Sequence, residues 1–216
     1  MKQQIVIIGT DGTAGNIIDQ ITDAVKNHQY NAEIAGLIID VHPVGTKIAG
    51  YSVLGHKEDI PNLLKDKSLF FIFALYKPEK LKERYNLLMS FDIPRDRFTN
   101  FIHPLSYVSG NISIGRGNVI LSNSSIQSGV TLGDYNIINS GVTIEHETSL
   151  GNGNFIAANA CIGSKACIGN HCFVGLNSSV RENVSLHNVF VGMHSLVLGN
   201  FSDCMIAGVP AILYKK

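Results

Sequence analysis

Ile120-Leu121-Ser122-Asn123-Ser124-Ser125-Ile126-Gln127-Ser128-Gly129-Val130-Thr131-Leu132-Gly133-Asp134-Tyr135-Asn136-Ile137-Ile138 carries an aliphatic residue at every sixth position. The phase runs outward in both directions, from Ile102, Val108 and Ile114 up to Ile168, Val174, Val180 and Leu186. Fifteen such hits in a row, in a stretch where Val, Ile and Leu fill about a quarter of positions, have odds of roughly one in 10⁸. After a break placed at Gly192, Leu198 and Cys204 resume the phase. Side chains two residues apart in a strand share a face. Each anchor and the smaller residue two before it (Ser124, Val130, Asn136, Val142, Ala160, Ala166, Cys172, Ser178) therefore point inward. Three short strands joined by turns close a triangular coil of about 18 residues, and stacked coils make a parallel β-helix. The spacing predicts this β-helix over 101–216.

The first 100 residues have a different rhythm. Ile5–Ile8 reads as a buried strand, Gly9-Thr10-Asp11-Gly12 as a turn, and Asn16–His28 as an amphipathic helix. Further strands are expected at Ile34–Asp40 and Leu69–Leu75, and a helix over Lys77–Met89 with Leu81, Tyr85 and Leu88 on one face. Strand–helix alternation predicts an α/β Rossmann-like domain over 1–100.

Formal net charge is zero, which gives no electrostatic reason to expect nucleic acid or an anionic membrane as partner. Residues 101–200 hold only three Lys/Arg and four Asp/Glu, so that half is buried or uses its faces for assembly. No apolar run approaches the ~18 residues of a membrane span, and the N-terminus is too short and too soon stopped by glycine for a secretory leader. The expectation is a cytoplasmic protein with reduced cysteines. Cys161 and Cys167 point outward from adjacent faces, Cys172 and Cys204 inward, and no CxxC pair suggests zinc. No metal is expected.

The six-residue repeat, the segment Phe101-Ile102-His103-Pro104 and the ending Gly208-Val209-Pro210-Ala211 together resemble the hexapeptide-repeat acyltransferases, in particular the PglD-like and NeuD-like bacterial sugar acetyltransferases. The resemblance implies a left-handed helix, a homotrimer, acetyl-CoA as co-substrate, and a small amino-sugar acceptor, with the β-helix domain binding the acyl-CoA. It places the general base at His146, within Asn139-Ser140-Gly141-Val142-Thr143-Ile144-Glu145-His146-Glu147, with Glu147 orienting it and Asn139 lining the acceptor pocket. Two positions beyond its anchor, His146 falls on a corner of the prism, and imidazole suits proton removal near neutral pH. A backbone N–H near Gly163 or Ser164, one coil above, is the expected oxyanion donor. His171 and His194 are either surface histidines or residues that approach the pantetheine arm.

Other positions depart from the family. Thr13 and Phe155 replace histidines associated with the acceptor and the acyl donor, and Leu75-Tyr76-Lys77 replaces a Gly-Asn pair that contacts the nucleotide. Gly9-x-x-Gly12-x-x-Gly15 lacks the dinucleotide spacing. It is either a turn needing positive φ or, at Gly12 and Thr13, a seat for an acceptor phosphate. Asp40 is either a ribose or base ligand or a turn former. The leading expectation is N-acetylation of a nucleotide-linked 4-amino sugar. The alternatives are O-acetylation of a sialic acid or sugar hydroxyl, and a trimeric β-helix module without activity.

Overall fold

A computed structural model describes residues 2–9 and 12–214. Its N-terminal part is a five-stranded sheet: β1 (Gln3–Ile8), β2 (Ala32–Ile38), β3 (Lys47–Ile48), β4 (Tyr51–Gly55) and β5 (Leu69–Phe73), ordered β3-β4-β2-β1-β5. β4, β2, β1 and β5 run parallel, with α1 (Thr13–Asn27) as the crossover from β1 to β2 and a loop plus β3 leading from β2 to β4. The antiparallel β3–β4 hairpin was not anticipated, because its short strands carry no clean alternation. Helix α1 buries Ala14, Ile17, Ile18, Ile21 and Ala24, the spacing of one helical stripe. It starts three residues before the expected Asn16 because Gly12, at φ +58°, has already turned the chain. α2 (Ile60–Leu63) and α3 (Leu81–Met89) follow, and Leu81 and Leu88 are buried on the face read from the sequence.

From Phe101 the chain winds a parallel prism. Phe101–Ile102, Val119–Ile120, Ile137–Ile138, Phe155–Ile156 and Phe173–Val174 stack on a first face. Tyr107–Val108 to Leu196–Val197 form the second face, and Ser113–Ile114 to Phe201–Ser202 the third. Partners lie 18 residues apart through most of the stack, as in Ile137↔Phe155 and Thr143↔Cys161. The anchors form one continuous core, with Ile138, Ile144 and Ile156 wholly buried.

The upper coils correct the expected register. Phe173 pairs with Phe190 and Ser179 with Leu196, so the coil shortens to 17 residues. The slip lies between Leu186 and Val191, not at Gly192. Val191 and Val197 point inward and are fully buried, whereas Leu198 is exposed. Cys204 only leans against the core, and the inward place beside it belongs to Ile206.

A second regularity locks the coils. Asn118, Asn136 and Asn154, 18 apart and fully buried, stand on the edge between the third and first faces. Each side-chain oxygen accepts the backbone N–H of the residue one coil above, at 2.9 Å for Asn118 to Asn136 and for Asn136 to Asn154. Each amide donates to the carbonyl of Gly133, Gly151 or Gly169. Buried polar groups need such pairing, and here the ladder supplies it without water.

The residue before each anchor points outward, and its chemistry differs by face. On the second and third faces it is mostly small: Ser125, Thr143, Cys161 and Ser179, or Thr131, Ser149, Cys167 and Ser185. On the first face it is Phe101, Val119, Ile137, Phe155, Phe173 and Phe190. Those side chains are the floor on which the N-terminal part sits, packing with Ile5, Ile7, Ile17 and Leu81. Polar fasteners surround it. Gln20 donates to Ser140 Oγ and accepts from Ser122 N, and Tyr76 donates to the Tyr135 carbonyl at 2.6 Å. Arg95 grips Asp134 with two bonds of 2.7 Å. Burial alone would raise the Asp134 pKa. The Arg95 bonds, the Arg116 backbone N–H and both arginine charges overturn that and hold it below the ordinary carboxylate value.

Candidate active site

Every edge of the prism turns in the same way. From Ile114 to Val180 the residue three beyond the anchor adopts a left-handed conformation, as at Asn123, Asn159, Asn177 and Asn183 or at Gly129 and Gly141. Asn and Gly tolerate that region and most other residues resist it. The residue one beyond the anchor donates its N–H to the next coil, as Glu145 does to Ile162 and Gly163 to Val180. The third donates to the coil below, as Glu147 does to Ser128 and Lys165 to His146. Between the third and first faces the second donates to a side chain of the coil above, as Arg116 does to Asp134 and Asp134 to Asn152, whereas between the second and third faces no such side chain among the described residues takes it. Among the described residues, the backbone N–H groups of His146 and Ser164 meet no protein acceptor.

His146 occupies that second position on the edge between the second and third faces, half-exposed. Its Nδ1 stands 3.7 Å from Glu147 Oε2, and Lys165 Nζ lies 3.4 Å from the same oxygen. The 3.7 Å gap exceeds a hydrogen bond, though catalytic contacts are often loose without substrate. Five of the seven Lys, Arg, Asp and Glu residues between 101 and 200 belong to this edge: Glu145, Glu147, Lys165, Arg181 and Glu182. The other two, Arg116 and Asp134, belong to the edge that docks Arg95. Neither the clustering nor Lys165 was singled out from the sequence. Writing the chain in rows of 18 would have shown it.

The other expected site residues are dispersed. Ser164 lies one coil above His146 on the same edge, with its N–H outward. Gly163 lies there too, but its N–H is engaged with Val180 O at 2.8 Å, so it cannot meet an oxyanion. A Cβ at Gly163 would stand 2.5 Å from Glu182 N, which explains the glycine by close approach of the next coil. Asn139, seven residues before His146, is on a different edge, between the first and second faces. Its amide donates to Ile156 O at 2.9 Å. His194 is on that second edge as well, beside Asn177 at 3.4 Å. Phe155 lies on the first face, its ring 6.1 Å from Tyr76 and 5.7 Å from Phe173. Two of the departures from the family pattern, Tyr76 and Phe155, are thus neighbours in the junction between sheet and prism.

At the strand-to-helix turn, Gly9 (φ +129°) and Gly12 (φ +58°) both need positive φ, which favours the turn reading. Thr10 and Asp11 lie outside the described residues. Thr13 opens α1, whose first turn has no side-chain cap. Asp40 accepts the Lys57 N–H at 2.9 Å and closes a loop, as a turn former does.

One cluster of metal-capable side chains occurs among the described residues: Asp23, His28 and His103. His103 is buried, its Nδ1 accepts the Leu105 N–H at 3.2 Å, and its Nε2 lies 3.1 Å from Asp23 Oδ2. An accepting Nδ1 leaves the proton of the neutral ring on Nε2, where it is donated to the carboxylate. That arrangement clasps α1 to the first coil.

Residues 111–146, ending on His146, match the family model "Bacterial transferase hexapeptide (six repeats)". No curated protein sequence matches the chain. Over nearly its full length the chain is similar to three solved structures. The acetyltransferase domain of PglB from Neisseria gonorrhoeae is 20% identical with a TM-score of 0.84, covering 99% of this chain and 100% of that one. A point mutant of perosamine N-acetyltransferase from Caulobacter crescentus, in complex with CoA and GDP-perosamine, is 22% identical with a TM-score of 0.85, covering 99% and 97%. WeeI from Acinetobacter baumannii AYE is 15% identical with a TM-score of 0.78, covering 97% and 99%. These likenesses establish the fold, an α/β sheet domain followed by a left-handed parallel β-helix.

Proposed function

We propose that this chain is an acetyl-CoA-dependent N-acetyltransferase whose acceptor is a nucleotide-linked amino sugar, with His146 as general base. The observation that carries the reading is the second–third edge. On a prism otherwise almost free of charge, a half-exposed imidazole has a carboxylate beside Nδ1 and an outward backbone N–H one coil above. The acceptor amine must lose a proton as it attacks the thioester carbonyl. Nε2 of His146 takes it, and Glu147 at Nδ1 fixes the tautomer and stabilises the imidazolium. The negative charge that develops on the carbonyl oxygen needs a fixed donor, and the Ser164 N–H is free for it. The thiolate of CoA then leaves, taking the proton back from His146. The solved relatives support the substrate class, since one of them is named a perosamine N-acetyltransferase and is in complex with CoA and GDP-perosamine.

The same geometry favours a trimer. The sheet domain covers the first face, while His146 lies on the opposite edge, between the other two. An acceptor held near Gly12, Thr13 and Asp40 therefore cannot meet His146 of its own chain, and a second copy has to complete the site. The small outer residues of the second and third faces permit close approach. Exposed Leu176 and Met193 stand on the Asn139 edge, and Leu198, next after Val197, on the His146 edge, apolar surface that such contact would cover. Among the described residues no helix is long and apolar enough to cross a membrane.

The test is release of free thiol from acetyl-CoA over a panel of nucleotide amino sugars, with the product checked for an alkali-stable amide. His146→Ala is expected to lower kcat on the order of 10²–10⁴-fold, with acetyl-CoA binding preserved by calorimetry. Full turnover in the variant, or no turnover with any acceptor, defeats the proposal. A light-scattering mass of one chain, 23.4 kDa, rather than three, defeats the shared site.

A further inference from the structure

Five residues that are neither Asn nor Gly sit in the left-handed turn position of the regular coils and the one above them: Tyr135, Glu147, Lys165, His171 and His194. Tyr135 and His171 have a packing reason, because both rings lie against Tyr85 of α3, at 6.1 and 4.9 Å. His194 is exposed and meets Asn177 at 3.4 Å, and Glu147 and Lys165 have no packing reason either. They are more than half exposed, stack one coil apart, and meet chiefly each other, Nζ to Oε2 at 3.4 Å. A strained conformation kept where no packing repays it points to function.

Resting on the assignment of His146 as base, we propose that Lys165 is a positioning residue that holds the Glu147 carboxylate beside His146 Nδ1. One carboxylate oxygen is shared, 3.4 Å from Lys165 Nζ and 3.7 Å from His146 Nδ1. Backbone geometry fixes the arrangement from both sides. Lys165 N donates to His146 O at 3.0 Å, and Glu147 N to Ser128 O at 3.0 Å. Below, Gly129 leaves the Glu147 side chain its room, since a Cβ there would stand 3.3 Å from Glu147 Cγ. The restrained carboxylate selects the tautomer with the proton on Nδ1, so the Nε2 lone pair faces outward. An exposed carboxylate with no such tether samples many rotamers and orients nothing for most of the time.

The experiment uses the full-length protein with ¹⁵N-labelled histidine, the His146 signals being identified by their loss in His146→Asn. In wild type, Nδ1 should carry the proton in the neutral ring. In Lys165→Met the population should move toward the Nε2-protonated form, with kcat lowered about 3- to 10-fold and the acceptor KM unchanged. Lys165→Arg should restore both readouts. Lys165→Asn, which puts a tolerant residue in the strained turn, should lower kcat equally while raising the melting temperature, so misfolding is not the cause. An unchanged tautomer ratio and kcat in Lys165→Met overturns the inference. The tautomer is read without turnover, so this failure is separate from failure of the base assignment, which His146→Ala decides.

Discussion

Truncating the middle of the asparagine ladder tests the account of what holds the prism together. Asn136→Ala removes two donated and two accepted bonds: to Asn118 Oδ1 and Gly151 O, both 2.9 Å, and from Asn154 N and Nδ2 at 2.9 and 3.0 Å. Some partners have alternatives. Asn118 Oδ1 keeps the Asn136 N–H, and Asn154 Nδ2 keeps Gly169 O. The Gly151 carbonyl and the Asn154 N–H are left with no partner beside a fully buried site. Stranding a buried polar group costs about 1–3 kcal/mol, so the variant should lose about 2–5 kcal/mol. At the open lower end, Asn100 donates to Gly115 O and accepts from Asn118 N, but it is only half-buried and water can substitute. Asn100→Ala should cost about 1 kcal/mol or less. Urea unfolding followed by circular dichroism at one fixed protomer concentration measures both, since association adds its own concentration-dependent stability. Turnover per folded molecule should be unchanged, because the ladder and His146 are on different edges. Equal costs at Asn100 and Asn136, or a cost below about 1 kcal/mol at Asn136, would refute the argument that desolvation makes the ladder matter.

Two further perturbations probe the corner and the junction. Gly163→Ala would force a methyl to within 2.5 Å of Glu182 N and 2.9 Å of Arg181 C, both backbone; a loss of about 2 kcal/mol or more is expected in the same unfolding assay, with turnover reduced as the Ser164 turn shifts. Asp134 has a depressed pKa when folded, so the stability it contributes is present above its unfolded value near 3.9 and is lost as pH falls through the lower folded value. Acid unfolding below pH 4 should therefore flatten in Asp134→Asn, and an acid limb identical to wild type would contradict the role of the Arg95 pair.

The sequence alone determined the prism. An anchor every six residues cannot be satisfied by a sheet with one buried face or by a helix, and small partners two positions before each anchor set the narrow cross-section. It also located His146 on an outward corner, since its distance from Ile144 is a matter of counting. What it could not decide depends on how the coils close in space. Asn139 and His146 are seven residues apart, which in this winding places them at opposite ends of one strand rather than in one pocket. Val197 and Leu198 are both apolar, so only the 17-residue coil from Val180 to Val197 reveals that Val197 turns inward. The outward Phe101, Val119, Ile137, Phe155 and Phe173 look like incidental hydrophobes until the 18-residue rows align them as the floor for β1 and α1. Tertiary structure alone separated the sheet domain from the His146 edge, because the domain settles where apolar outer surface is continuous. That placement leaves the charged edge free, and it is why the proposed chemistry calls for a second copy of the chain.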